Sequence, residues 1–453
     1  MTITECLASA TETQEFRIGP SALDALPEIL ARFFPGAAAF IVADGNTMKA
    51  AGDRAAAVLA AAGLPAAGSF VYPAFPVLHA HYSFAWELAG LFGEKAARHG
   101  GIVPVAIGSG TVNDLVKRAS MEAGLRYVCV PTAASVDGYT SNGAALLEGG
   151  FKKTFECPAP LAVVADSSIL SAAPAYLSSS GFGDLASKLI AATDWIIADS
   201  AGKAGAPGCE PIDPLAWAMT QDRLREDLRR SEGAAAGDTD AVGVLFSALA
   251  VTGFSMQYLK SSRPVSGCEH LFSHVWEMGE LSVGGVPVTH GHKVAIGTLC
   301  ATALTETLFA SPAPPRLDAA APPTRTEREA EVRSAFSAYP AAAASAAVDT
   351  ALAKLPDADS LHRRREQLAD GWTGLRARVL ERMVPYGELR AMLERSGCPV
   401  RPESIGLTRP QAIATARQAQ MMRNRYTALD LAWEFGILDA TLASIEAEGT
   451  YLR

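Results

Sequence analysis

The stretch IVPVAIGSGTVNDLVKRASMEAG, from Ile102 to Gly124, decides the fold. A short apolar run closes on Gly-Ser-Gly and gives way to a segment of helical period, so it reads as strand, turn and helix. The same alternation extends outward on both sides. AAAFIVAD (37–44) predicts a buried strand, and NTMKAAGDRAAAVLAAAG (46–63) a helix capped by Asn46 or Thr47. GSFVYPAF (68–75), LRYVCVPT (125–132) and LAVVAD (161–166) predict three more strands, with a helix from Ser83 to His99. Gly143 to Pro158 predicts a hairpin excursion. Strands that alternate with helices predict a parallel sheet covered on both faces.

Past about residue 172 the strand signals stop. Helical periods follow at Gly183–Ser200, Leu215–Arg229, Asp240–Leu259, Gly267–Met278, Lys293–Leu308, Arg325–Ser337, Ala341–Leu355, Leu361–Val384 and Arg409–Glu448. ASPAPPRLDAAAPPT (310–324) predicts an irregular surface loop. The expected fold class is therefore an α/β N-terminal nucleotide-binding domain, residues 1–170, followed by an all-α C-terminal domain, residues 171–453.

With 453 residues, 49% hydrophobic and 19% charged, the chain can bury substantial cores. A net charge of -9 and the lack of a basic stripe exclude nucleic acid as the main partner. The seven cysteines include no CxxC pair, which fits free thiols in a reducing compartment. The N-terminus lacks the signature of a signal peptide, and no apolar run reads as a membrane span. A cytoplasmic address is the expectation.

Two constellations carry chemistry. Gly108-Ser109-Gly110 between a strand and a helix lets backbone N–H groups approach a pyrophosphate, although the turn is neither GxGxxG nor a P-loop. Asp44, ending the first clear strand, reads by itself as a helix-capping or turn residue and, taken together with the glycine turn, as a candidate for ribose hydroxyls. The second constellation is built from metal-competent side chains. GFGDLASK places Asp184 at an expected helix start. SGCEHLFSHVWE places His270 and His274 on one helix face, and VTHGHKVAIG supplies His290 and His292. An Asp/His/His set leaves coordination positions open, as a catalytic metal requires, and zinc, nickel or ferrous iron accept it.

The segments GSGTVNDLVK, PTAASVDGYTSNGA, GFKKTF, GFGDLASK, SSRPVSGCEHLFSH, THGHKVAIGTL and RYTALDLAWEFG together resemble bacterial sn-glycerol-1-phosphate dehydrogenases. These belong to the iron-containing alcohol dehydrogenase and dehydroquinate synthase-like superfamily. The resemblance runs from about Asp44 to Leu438. It implies metal ligation by Asp184, His270 and His290, and substrate contacts from Asp137, Asp184 and His274, with His274 catalytic. It also implies cofactor contacts from Asp44, from Gly108, Ser109, Gly110, Thr111 and Val112, from Thr132, Ala133, Ala134 and Ser135, and from Ser141. The implied cofactors are NAD or NADP and one divalent metal. The implied reaction is reduction of dihydroxyacetone phosphate, in a homo-oligomer. Arg263 and Lys188 are candidates for the substrate phosphate. His292 departs from the family pattern, where Glu is expected, and the 310–324 loop is longer than the family norm. A glycerol or alcohol dehydrogenase, a dehydroquinate synthase-type lyase and a non-catalytic nucleotide-binding regulator are the competing readings.

Overall fold

The computed structural model describes residues 1–317 and 320–453. Six parallel strands form one sheet: β1 (Glu15–Gly19), β2 (Ala38–Asp44), β3 (Ala66–Tyr72), β4 (Ile102–Gly108), β5 (Val128–Pro131) and, after the antiparallel pair β6 (Gly143–Glu148) and β7 (Phe151–Glu156), β8 (Ala162–Asp166). Their order is β1-β8-β5-β4-β2-β3. Every residue of β4, β5 and β8 is buried, whereas the edge strands β1 and β3 are partly exposed. Central strands covered on both faces need continuous apolar sequence, which is why they were legible as runs.

Side chains of a strand alternate between its two faces. Ile41, Val103, Val105, Ile107, Val128, Val130 and Val164 all point to one face, where they pack with Leu26, Ile29 and Leu30 of the Leu26–Phe33 helix and with Leu59. On β2, Phe40 meets Phe92 of the Tyr82–His99 helix edge-on at 5.9 Å. The chain leaves β2 to one side for β3 and returns on the other side with β4. The β2/β4 boundary is thus the switch point of the sheet, with Asp44 and Gly108 at its two carboxyl ends.

The described chain divides into two compact parts. The first comprises Met1–Glu148, Lys152–Leu185 and Ala218–Ser261; the second comprises Gly149–Phe151, Ala186–Trp217 and Ser262–Arg453. A single cut near residue 170 does not describe this division. The Thr239–Leu259 helix belongs with the sheet because Phe246 and Phe254 pack on Phe16 of β1, at 6.2 and 5.7 Å. Its buried Gln257 also binds the backbone N–H of Thr13 at 3.1 Å and the carbonyl of Thr140. This helix is long and apolar enough to cross a membrane, contrary to the sequence expectation, yet 67% of its apolar window is buried inside the protein. Its packing on β1 is that of a core helix.

In the second part helices joined by loops dominate, with a short hairpin of β9 (Ser282–Val283) and β10 (Val286–Pro287). Two expected helices prove to be several. Gly371 separates Ala358–Asp370 from Trp372–Arg382, and the 409–448 run divides into Arg409–Met421, Ala428–Glu434 and Leu438–Ala447. The expected loop over 310–324 includes residues 318 and 319, which lie outside the described residues; its described remainder forms neither helix nor strand.

Candidate metal and cofactor site

In the first part, β4 delivers the Gly108–Val112 turn to the carboxyl edge of the sheet. A Cβ on Gly108 would lie 2.6 Å from Val112 Cβ, and one on Gly110 would lie 2.9 Å from Val136. Both positions therefore exclude side chains for packing reasons. Ser109 is the N-cap of the Gly110–Glu122 helix, and no side chain caps that helix. A first turn without a side-chain cap is a ready anion site.

Thr132, Ala133, Ala134 and Ser135 follow β5 and are all buried. Thr132 N–H donates to Gly108 O at 3.1 Å, which joins this loop to the glycine turn. Tyr139 Oη donates to Ala133 O at 2.7 Å and pairs with Ser135 Oγ at 3.0 Å. Ser141 is buried as well. Its hydroxyl lies 3.1 Å from both Gly138 O and Gly143 O and receives Lys117 Nζ at 3.2 Å. Lys117 is the organiser that the sequence reading missed. Fully buried, it donates to Gly138 O at 2.7 Å and Gly143 O at 2.9 Å, and lies 3.4 Å from Asp114. Its helical spacing from the glycine turn, in GSGTVNDLVK, was the available signal.

Asp44 behaves in part as its capping reading required. Its Oδ1 accepts the N–H groups of Asn46 and Thr47 at 2.8 and 3.0 Å. Asp184 departs from expectation in its local setting. The helix carrying it begins at Ala175, not at Gly183, and runs 29 residues to Lys203, so Asp184 lies well inside it. Gly181 stays helical because the helix must pass the 132–135 loop closely: a Cβ there would fall 1.8 Å from Ala134 O. The division between the two compact parts falls in this continuous helix, just after Leu185.

In the second part, Cys268–Met278 carries His270 and His274 at i and i+4, and His290–Leu308 begins with His290, capped by Thr289. The hairpin β9–β10 joins the two helices. They meet at both ends: Gly297 lies against Glu269, where a Cβ would come within 2.4 Å of the Glu269 carbonyl, and His290 lies against Glu277. Small residues in HKVAIG permit this approach. It brings the ring centroids of His270 and His290 to 5.4 Å, with His274 6.1 and 6.4 Å from them.

Within the second part His270 and His290 face one another, and in the first part Asp184 is a fully buried carboxylate. One carboxylate and two imidazoles are a donor set that a divalent transition metal accepts. Burial holds the His274 imidazole well below its usual pKa, and the Arg423 guanidinium pushes it the same way. Burial lowers His292 to about 4. Asp194, which accepts the N–H groups of Cys268 and Ala428, is pushed up to about 6 by burial and by the neighbouring charge of Glu269.

Arg263 is not available to a ligand phosphate. Its fully buried side chain donates to Glu210 at 3.0 Å, Gly208 O at 3.0 Å and Tyr426 O at 2.9 Å. The loop architecture consumes it. Lys188 is fully buried.

The iron-containing alcohol dehydrogenase family model matches residues 17–174. A glycerol-1-phosphate dehydrogenase, NAD(P)+, of Halalkalibacterium halodurans is 33% identical over 296 residues, 65% of this chain and 71% of that protein. The enzyme of the same name from Bacillus velezensis is 35% identical over 58% of this chain and 63% of its own. That of Pyrococcus furiosus is 34% identical over 43% and 54%. Among solved structures, a probable glycerol dehydrogenase from Sinorhizobium meliloti superposes with a TM-score of 0.58 at 19% identity, over 96% of this chain and 99% of that one. An alcohol dehydrogenase from Oenococcus oeni gives 0.59 at 15% identity, over 94% and 98%. The chain belongs to the glycerol-1-phosphate dehydrogenase family of oxidoreductases, which has the iron-containing alcohol dehydrogenase fold.

Proposed function

We propose that the chain reduces dihydroxyacetone phosphate to sn-glycerol 1-phosphate with NADH or NADPH, and that Asp184, His270 and His290 hold the divalent metal. The observation that carries this reading is the close pairing of His270 and His290, with ring centroids 5.4 Å apart, in a chain whose relatives bear that enzyme name. Lewis acidity toward the ketone oxygen and a transferable hydride are what metal and nicotinamide supply when bound.

The remaining work falls to the chain. The Gly108–Val112 turn receives the pyrophosphate on its backbone N–H groups. Asp44 takes the ribose hydroxyls while its Oδ1 continues to cap the following turn. The 132–135 loop and Ser141 shape the wall beside the cofactor. Asp137, whose N–H donates to Asp184, holds a terminal hydroxyl of the substrate and so selects the face that is reduced. The partly exposed His274 passes a proton between solvent and the reduced oxygen; its low pKa keeps the ring neutral and able to accept one. The substrate phosphate requires a cationic partner.

The test is oxidation of NADH or NADPH by metal-loaded protein with dihydroxyacetone phosphate, followed by stereochemical analysis of the product. Stoichiometric formation of sn-glycerol 1-phosphate is expected. Faster turnover of unphosphorylated dihydroxyacetone would favour a glycerol dehydrogenase instead. Activity without net nicotinamide consumption would point to the lyase type.

A further inference from the structure

Three histidine rings lie together in the second part, and their Nδ1 atoms have different fates. His270 Nδ1 lies 2.8 Å from Glu269 Oε1. His290 Nδ1 lies 2.6 Å from Glu277 Oε1. His274 Nδ1 is buried and has no hydrogen-bond partner among the described residues. The two rings with a carboxylate behind them are the two proposed above as metal ligands.

We infer that Glu269 and Glu277 are positioning residues, which hold His270 and His290 as Nδ1–H tautomers and so leave Nε2 of each ring as the metal-binding atom. A carboxylate can only accept, so the imidazole must be the donor at Nδ1. The surroundings keep both glutamates in place. Glu269 is fully buried, and the same Oε1 accepts the Gly267 N–H at 2.7 Å. Gly267 can carry no side chain, because a Cβ would fall 2.7 Å from Glu269 Oε2 and 2.4 Å from Asp194 Oδ2. Glu277 has the ammonium of Lys293 at 3.6 Å on one side and Ser273 Oγ at 3.5 Å on another, and it interacts with the buried Arg423. Burying two carboxylates is costly unless they are paired, so their placement behind these rings needs a reason. Fixing ring tautomer and orientation while raising ligand basicity is such a reason. His274 has no such partner, in keeping with a group that must exchange a proton rather than stay locked.

This inference rests on the assignment of His270 and His290 as ligands, and the test separates the two ideas. Zn2+ affinity would be measured by competition with a chromogenic chelator, for wild type and for Glu269→Gln, Glu277→Gln, His270→Ala and His290→Ala. Proton-detected 15N spectra of the metal-free full-length protein would report the ring tautomers directly. Expected are Nδ1–H signals for both rings, and Zn2+ binding weaker by about 10- to 100-fold in each glutamine variant. Glu277→Gln is the more tolerant probe should the deeply buried Glu269→Gln fail to fold. Zn2+ affinity within about twofold of wild type in a folded Glu277→Gln variant, or Nε2–H signals from the two rings, would overturn the positioning role alone. Unchanged affinity in both alanine variants would overturn the ligand assignment and the inference with it.

Discussion

Asp184 Oδ2 accepts the backbone N–H of Asp137 at 2.9 Å. One carboxylate therefore anchors the turn after β5 and is also a proposed metal ligand. An amide at position 184 would keep its oxygen on that N–H, leaving an NH2 that cannot ligate a metal, and it would lose a ligand charge. Asp184→Asn and His290→Ala are expected to lower metal content after dialysis and to reduce turnover by more than about 100-fold, since even outer partners of a metal site cost 10- to 100-fold. Metal analysis beside the NADH assay decides it; full metal occupancy in either variant would show the ligand assignment to be wrong.

His274 sits beside His270 and His290, with ring centroids 6.1 and 6.4 Å away. His274→Ala is expected to keep its metal and to lose turnover by about 100- to 10,000-fold, the usual range for a lost proton-transfer group. Loss of metal from this variant would place His274 among the ligands.

Two glycines on neighbouring helices should respond oppositely to alanine. At Gly181 the new methyl would fall 1.8 Å from Ala134 O, so the helix must move off the 132–135 loop. The expected cost is about 3 kcal/mol in urea unfolding. Gly243, in the Thr239–Leu259 helix, has open space at its Cβ position. There alanine should stabilise by about 0.5–1 kcal/mol through the lower entropy of the unfolded chain. A well-tolerated Gly181→Ala would contradict the close approach.

Burial raises the thiol pKa of Cys6, Cys129, Cys157, Cys209, Cys268 and Cys300 above the usual 9.0. Little thiolate forms at neutral pH, so iodoacetamide should label the folded protein slowly and the urea-unfolded protein rapidly. The folded state holds these protons more tightly than the unfolded state. Their contribution to stability is therefore full below pH 9 and declines as the pH rises above it. Rapid stoichiometric labelling at pH 7 would show that the thiols are not buried as described.

The sequence by itself determined the strand–helix alternation, because fully buried parallel strands must be apolar throughout. It also determined the helical character beyond residue 172 and the i, i+4 spacing of His270 and His274. It did not reveal β1, since Glu15–Gly19 is a partly exposed edge strand of mixed composition. It missed the true start of the Asp184 helix, because Gly181-Phe182-Gly183 reads as flexible until the Ala134 carbonyl is seen against Gly181. Only the tertiary structure brought His270 and His290 together and set Glu277 behind His290, 13 residues away. It likewise showed that Arg263 and Lys117 are spent on holding loops. Local pattern records what a residue does to its own strand or helix; which distant side chains share a few ångströms depends on how closely the backbones pack.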